Sequence, residues 1–245
     1  MKKQLPNLIT LLNLLCGSIA VLFAVNGELV TTAIFVFLGI FFDFFDGLVA
    51  RKLNVQSELG LQLDSLADMV TSGLVPGIVM FQLFNLADST WIEFSYNATV
   101  GLSSSLAQNS FLPFFGLLIT LASAYRLAKF NISTNQSDSF IGLPTPANTL
   151  LILSFPLILE FQNNDIINAI ILNKWFLISI TVLSACLMNA NIKLLALKFK
   201  NFSFKDNSAR FILIILAIIL LVIFQFAAIP LIILTYIIIS ILNKS

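Results

Sequence analysis

The sequence has no histidine, only two cysteines and little charge: Asp, Glu, Lys and Arg together make up 10% of its 245 residues. Without histidine, the side chain that most often ligates zinc or copper and most often serves as a general base is missing. Cys16 and Cys186 both fall within apolar stretches, which reads as small core residues rather than a disulfide or a metal pair. A net charge of +1, with no basic tract interleaved with aromatics, argues against nucleic acid as a partner. There is also no low-complexity tract, heptad seam or obvious repeat.

What the sequence has is hydrocarbon. Hydrophobic residues make up 58% of the chain, 24 of them Phe, and long apolar runs recur from end to end. A membrane-spanning helix needs roughly 20 mostly apolar residues, because backbone groups cannot be left unpaired in lipid. Eight candidate spans result, at about 8–25, 29–52, 59–84, 111–130, 146–161, 171–190, 210–225 and 228–243, the last two joined by a bend near Pro230. The fold class expected is an all-α integral membrane protein, a single membrane-embedded domain over 1–245.

Cytoplasmic loops carry the positive excess. With the N-terminus inside, Lys2, Lys3, Arg51, Lys52, Arg126, Lys129, Lys193, Lys198, Lys200, Lys205, Arg210 and Lys244 face the cytoplasm, and Lys174 alone faces outward. Twelve of 13 basic residues on one side predicts that both termini are cytoplasmic. The N-terminal run begins with two lysines but has no small-residue cleavage site and contains Asn7, Thr10 and Asn13, so it reads as a retained span. An outer loop is expected over about 85–110, with Trp91 and Phe94 suited to an interface and Asn97-Ala98-Thr99 matching a glycan acceptor or an ordinary polar loop. The basic segment 193–210 either lies on the inner surface or simply sets topology. In GLPTPAN, Thr145 is expected to cap a helix whose first turn holds Pro146.

Against this background the stretch DFFDGLVARKLNVQSELGLQLDSLAD, residues 43–68, carries four aspartates. At 100° per residue, Asp43, Gly47 and Ala50 lie within about 60° of one another on the second span, with Asp46 alongside. On the third, Gly60, Asp64 and Asp68 form one stripe at steps of four. Counted from the inner ends of the two spans, the acids sit roughly 6–15 Å deep. Left alone, each would cost about 2.5–3.5 kcal/mol to insert, before mutual repulsion. Arg51 stands at the mouth, there is no histidine, and protein charge alone cannot balance four acids. Divalent metal can, and an all-oxygen set suits Mg²⁺ or Mn²⁺. Gly47, Ala50 and Gly60 either leave room for a bulky phosphorylated ligand or let helices pack closely.

Asp43, Asp46, Gly47, Ala50, Arg51, Gly60, Asp64 and Asp68 spell D-x2-D-G-x2-A-R-x8-G-x3-D-x3-D. This resembles the signature of the CDP-alcohol phosphotransferases, integral membrane enzymes that transfer a phosphoryl-linked group from a CDP-activated donor to an alcohol and release CMP. PNLITLLNLLCG, QLDSLADMVTSGLVP, RLAKFN and GLPTPA are further similar to one branch, the bacterial CDP-diacylglycerol–serine O-phosphatidyltransferases. The resemblance implies a homodimer in the bacterial cytoplasmic membrane, two divalent cations, and a site facing the cytoplasm. It implies that Asp43, Asp46, Asp64 and Asp68 hold metal, that Asp68 is also the general base, and that Asn7, Thr10, Gly47, Ala50, Arg51 and Gly60 line the CDP-diacylglycerol site. A catalytic core of about 1–205 and a terminal hairpin of about 210–243 follow.

For the acceptor, Arg126, Lys129 and Asn131 end the fourth span. They could grip the carboxylate of L-serine, or the phosphate of glycerol 3-phosphate or inositol phosphate, or serve only as positive-inside charges. Two rivals share intramembrane acids. A divalent-cation transporter would place them near the midplane on an inverted repeat, which is not seen here. A membrane prenyltransferase would carry a second acidic motif far downstream, and later spans have none.

Overall fold

A computed structural model describes residues 4–98, 111–132, 139–162, 164–195 and 207–242. Ten α-helices dominate the described residues. They run α1 (Leu5–Val25), α2 (Leu29–Leu53), α3 (Glu58–Asp68), α4 (Val75–Ala98), α5 (Leu118–Ile132), α6 (Thr145–Phe161), α7 (Asp165–Ile171), α8 (Lys174–Asn189), α9 (Ser208–Phe224) and α10 (Ala228–Leu242). A π-helical turn, Met69–Leu74, joins α3 to α4, and a 3₁₀ turn, Leu112–Leu117, leads into α5.

Local chemistry sets the boundaries nearest the acids. Pro6 occupies the first turn of α1, where its missing N–H costs nothing. α2 ends with Arg51 and Lys52 in its last turn, cations that complement the negative pole of the helix. Asn54 then takes the left-handed conformation, φ 52°, and its N–H and that of Val55 close onto Arg51 and Ala50 carbonyls. Three residues later Ser57 caps α3 through its hydroxyl, which accepts from Gly60 N at 3.1 Å. Two stop-and-start signals so close together turn the chain between α2 and α3, and α1 packs against both.

The interior is apolar and built around α4. Val75, Val79, Met80, Leu83 and Phe84 are fully enclosed, against Ala33 and Val36 of α2, Ile119 of the α5 unit, Ile152 of α6 and Leu177 of α8. The exterior is apolar as well, with large side chains such as Leu22, Leu121, Trp175 and Val222 exposed around the bundle. That inverted surface has no place in water and fits lipid, so the chain is an all-α integral membrane protein. Leu5–Val25, Leu29–Leu53, Glu58–Asp88 and Ser208–Leu242 are long and apolar enough to cross, and α7 with α8 forms a fifth candidate bent by 59°.

Helices stand at all eight positions expected from the apolar runs, with differences in detail. The terminal pair is a hairpin: α9 and α10 pack side by side, and Gln225, φ 49° and ψ −121°, reverses the chain between them. Only 11% of its apolar window is buried, so it stands at the periphery. The expected outer loop of 85–110 is helical as far as Ala98, because α4 continues past its apolar section into polar sequence that still has helix formers. The side chains of Trp91 and Phe94, the Asn97–Thr99 motif as a whole, and residues 196–206 of the basic segment lie outside the described residues. Thr145 is the first helical residue and not the cap; the flanking Pro144 makes no side-chain cap bond. Cys16 is buried as expected, but Cys186 is exposed on the apolar exterior of α8.

A short antiparallel ribbon, β1 (Ser139–Ile141) with β2 (Lys193–Leu195), is the one β element among the described residues. It ties the α5–α6 and α8–α9 connections together, and α10 closes on it through Tyr236 Oη, which donates to Leu195 O at 3.0 Å. Gly142 follows β1 with φ +71°, and a Cβ there would fall 2.4 Å from the Met188 carbonyl oxygen. Gly142→Ala is therefore expected to lower the thermal unfolding midpoint in detergent by the equivalent of about 2–4 kcal/mol. Gly27→Ala, also at positive φ but facing open space, should show only the backbone penalty of about 1–2 kcal/mol; equal shifts would show that the Met188 contact yields.

Candidate active site

The α2–α3 turn brings both acid-bearing faces to one end of the bundle. Asp43 of α2 and Asp64 and Asp68 of α3 each offer a carboxylate oxygen, and the three atoms lie within 4.8 Å of one another. Like charges do not gather at that range in apolar surroundings without a counter-charge. No Lys or Arg forms an ion pair with any of the three among the described residues. Asp64 Oδ1 is enclosed with no hydrogen-bond partner, a lone-pair donor with nothing to donate to. An oxygen-only donor set with an orphaned buried oxygen fits a hard divalent cation of the magnesium or manganese kind.

Asp46 stands apart from this trio. It is buried, and its Oδ2 accepts a short hydrogen bond from the Thr10 hydroxyl of α1. The stripe on α3 is thus as the 3.6-residue period predicts, whereas Asp46 is drawn toward α1 by a partner that periodicity on α2 alone does not reveal.

Asp46 and Asp64 form one wall of a cavity of about 510 Å³ between α1, α2 and α3. Asn7, Thr10, Gly47, Ala50, Arg51 and Gly60, all six residues expected around the nucleotide, line it. The glycines separate. A Cβ on Gly47 would meet nothing nearer than Arg51 Nη2 at 3.8 Å, so its missing side chain keeps space open rather than letting helices touch. A Cβ on Gly60 would sit 3.3 Å from Asn7 Oδ1 and 3.2 Å from Ser57 Oγ, so this glycine also allows α1 to approach. Arg51 is exposed at the rim, free to reach an anionic ligand.

Beyond Asp68 the helix widens into its π turn, which no apolar period in the sequence signals. Thr71, within this turn, and Asn13 of α1 are fully buried, and Asn13 Nδ2 donates to Asp68 Oδ1 at 3.4 Å. Neither residue was expected near the acids. The spacing Asn7, Thr10, Asn13 at steps of three along an apolar helix is the signal that could have found them.

The three residues expected to bind the acceptor do not converge. Arg126 is buried, with its Nε unpartnered and Asp68 and Tyr236 as its electrostatic neighbours. Lys129 is exposed. Asn131 braces α5 against α3, accepting from Ser65 Oγ at 3.0 Å and donating to Gln62 Oε1 at 3.4 Å. Across the site, Ser72 Oγ of the π turn and both amide atoms of Asn148 are also buried without partners, next to Thr149, whose hydroxyl bonds the Ser72 carbonyl at 2.8 Å.

A family model described as CDP-alcohol phosphatidyltransferase matches residues 3–187, which include every residue of this site. The chain belongs to the CDP-alcohol phosphatidyltransferase family. The match ends before α9, leaving the peripheral hairpin outside it. Relatives agree. The chain is 34% identical over 170 residues to the CDP-diacylglycerol–serine O-phosphatidyltransferase of Bacillus subtilis, covering 68% of this chain and 80% of that protein. It is 34% identical over 151 residues to the enzyme of the same name from Helicobacter pylori strain J99, covering 60% and 55%. It is 32% identical over 155 residues to an archaetidylserine synthase of Methanothermobacter thermautotrophicus, covering 62% and 57%. As a member of this family the chain is a membrane transferase, which removes the transporter and prenyltransferase alternatives.

Manganese titrated into the purified protein and followed by electron paramagnetic resonance is expected to bind. Asp43→Asn, Asp64→Asn or Asp68→Asn should each weaken that binding by at least about tenfold, since even outer-sphere changes at metal sites cost about 10–100-fold. Unchanged manganese affinity in all three variants would show that the trio is not a metal site.

Proposed function

We propose that the protein transfers the phosphatidyl group of CDP-diacylglycerol to the hydroxyl of L-serine, giving phosphatidylserine and CMP. The observation that carries this reading is the juxtaposition of the three-carboxylate cluster with a cavity lined by all six nucleotide-site candidates, joined through Asp64. The names of the relatives support serine in particular: one is a CDP-diacylglycerol–serine O-phosphatidyltransferase and another an archaetidylserine synthase.

In this reading Asp43, Asp46, Asp64 and Asp68 hold two divalent cations, Mg²⁺ or Mn²⁺. Bound there, the ions supply charge neutralisation for the diphosphate and for the departing CMP. The chain's own residues do the rest. Asn7, Thr10, Gly47, Ala50, Arg51 and Gly60 seat the CDP moiety: the open face of Gly47 admits it, and the guanidinium of Arg51 meets its negative charge at the rim. Asp68 accepts the proton of the serine hydroxyl as its oxygen attacks the diacylglycerol-bearing phosphorus. The new serine O–P bond forms as the bond from that phosphorus to the CMP oxygen breaks, and CMP leaves as the phosphate monoester.

Arg126 is the acceptor's anchor in this scheme. Its buried position and unpartnered Nε beside Asp68 suit a bidentate grip on the serine carboxylate close to the base. Lys129 and Asn131 complete the acceptor set as read from the sequence, Lys129 by attracting anions from solvent and Asn131 by holding the end of α5 against α3. The reading also takes residues 1–245 as one domain with eight spans, both termini cytoplasmic, in a bacterial cytoplasmic membrane. The uneven distribution of basic residues supports that orientation, and a homodimer follows from family resemblance alone.

CMP release from CDP-diacylglycerol in detergent should require serine and a divalent cation and should cease with EDTA. In a radiolabelled acceptor panel, label is expected to enter lipid from serine and not from glycerol 3-phosphate or inositol phosphate. Label entering from glycerol 3-phosphate and not from serine would end the serine assignment. Asp68→Asn is expected to abolish turnover, by about 10²–10⁴-fold if the residue is the general base, while CDP-diacylglycerol still binds; near wild-type turnover would reject the role of Asp68.

A further inference from the structure

Asp68 Oδ1 accepts a hydrogen bond from Asn13 Nδ2, and the scheme above gives Asn13 no part. A primary amide presents either oxygen or nitrogen to a neighbour, and only the nitrogen can donate to a carboxylate. Thr71 makes that choice. Its hydroxyl lies 2.8 Å from Asn13 Oδ1 and 3.2 Å from the Asn13 carbonyl oxygen, both acceptors. With Oδ1 held by Thr71, Nδ2 is the atom left to face Asp68. The flipped amide would set an oxygen against the Asp68 carboxylate and forfeit the Thr71 bond to Oδ1.

Water cannot take over this arrangement, because Asn13 and Thr71 are both fully enclosed. Nor can the pair shift. A Cβ on Gly17 would fall 2.2 Å from Thr71 Oγ1, and one on Gly39 would fall 2.7 Å from Thr71 Cγ2 and 2.9 Å from Asn13 Oδ1. α1 and α2 thus close on the pair from two sides, and the π turn that starts just after Asp68 supplies Thr71. Catalytic hydrogen bonds commonly tighten only once substrate is bound, so a separation of 3.4 Å without ligand suits a working contact.

We infer that Asn13 is a positioning residue for Asp68: its amide, fixed in orientation by the Thr71 hydroxyl, holds Oδ1 and leaves the second carboxylate oxygen for the proton of the acceptor alcohol. The inference rests on Asp68 being the base, and the experiment separates the two claims. It uses the full-length enzyme in detergent with CDP-diacylglycerol, serine and Mg²⁺ or Mn²⁺.

Thr71→Val retains the shape of the side chain and removes the hydroxyl. It is expected to lower kcat about 10- to 100-fold, with KM for both substrates within about twofold of wild type. Thr71→Ser restores the hydroxyl while removing the methyl, and should recover most of that loss. A packing role requires the reverse order. Asn13→Ala should cost as much as Thr71→Val, and the double variant no more than either, because both act through one bond. If Asn13→Ala does not fold, the Thr71 pair decides the matter. Wild-type kcat in Thr71→Val, a larger loss in Thr71→Ser than in Thr71→Val, an effect confined to KM, or losses that multiply in the double variant would each overturn the inference. Asp68→Asn is assayed alongside. If it turns over normally, the reading of Asp68 as base fails; if it is inactive while Thr71→Val and Asn13→Ala retain full kcat, only the role of Asn13 fails.

Discussion

Carboxylates crowded at one end of a lipid-facing bundle are the constraint around which this molecule is arranged. Apolar surroundings penalise each charge, and three oxygens within 4.8 Å penalise one another. A soluble protein would solve this with ion pairs to Lys and Arg, and among the described residues none is formed with the trio, Arg126 being an electrostatic neighbour of Asp68 alone among the three. The solution left is a small, hard, multiply charged ion, which every oxygen can approach at once and which also attracts a diphosphate. In the proposed reading binding and chemistry share one electrostatic cause: the charge that lets the acids coexist also receives the nucleotide-activated lipid.

The rest of the inner architecture serves to hold those acids still. The left-handed Asn54, the Ser57 cap and the basic last turn of α2 turn the chain from α2 into α3, and with α1 packed against both, Asp43 comes close to Asp64 and Asp68. α1 then runs alongside with polar groups at steps of three. Asn7 approaches Gly60, Thr10 bonds Asp46, and Asn13 bonds Asp68. Glycine enables contact at Gly17 and Gly39 and keeps space at Gly47, so the same residue type does opposite work along one helix, α2. The α9–α10 hairpin lies beyond the family match and is attached through Gln162 at one end and the β ribbon at the other, with Tyr236 of α10 an electrostatic neighbour of Arg126.

Much of this was legible in the sequence because lipid imposes strict rules. Apolar runs located the helices, and the helical period put Gly60, Asp64 and Asp68 on one face. What escaped reading had specific physical causes. The π turn changes the helical repeat without changing composition, so Thr71 could not be placed. Asp46 lies outside the three-carboxylate cluster and bonds a hydroxyl on a different helix, Thr10 of α1. α4 runs to Ala98 because hydropathy falls before helix formation ends. Arg126, Lys129 and Asn131, adjacent in sequence, part company because α5 presents them to a buried site, to solvent and to α3 in turn.

The most direct test of the central electrostatic claim is to locate the ion itself. Anomalous diffraction from crystals of the protein grown with Mn²⁺ is expected to show a strong peak bounded by the carboxylates of Asp43, Asp64 and Asp68. A manganese-dependent, active preparation whose anomalous peaks all lie away from those three side chains would contradict the account.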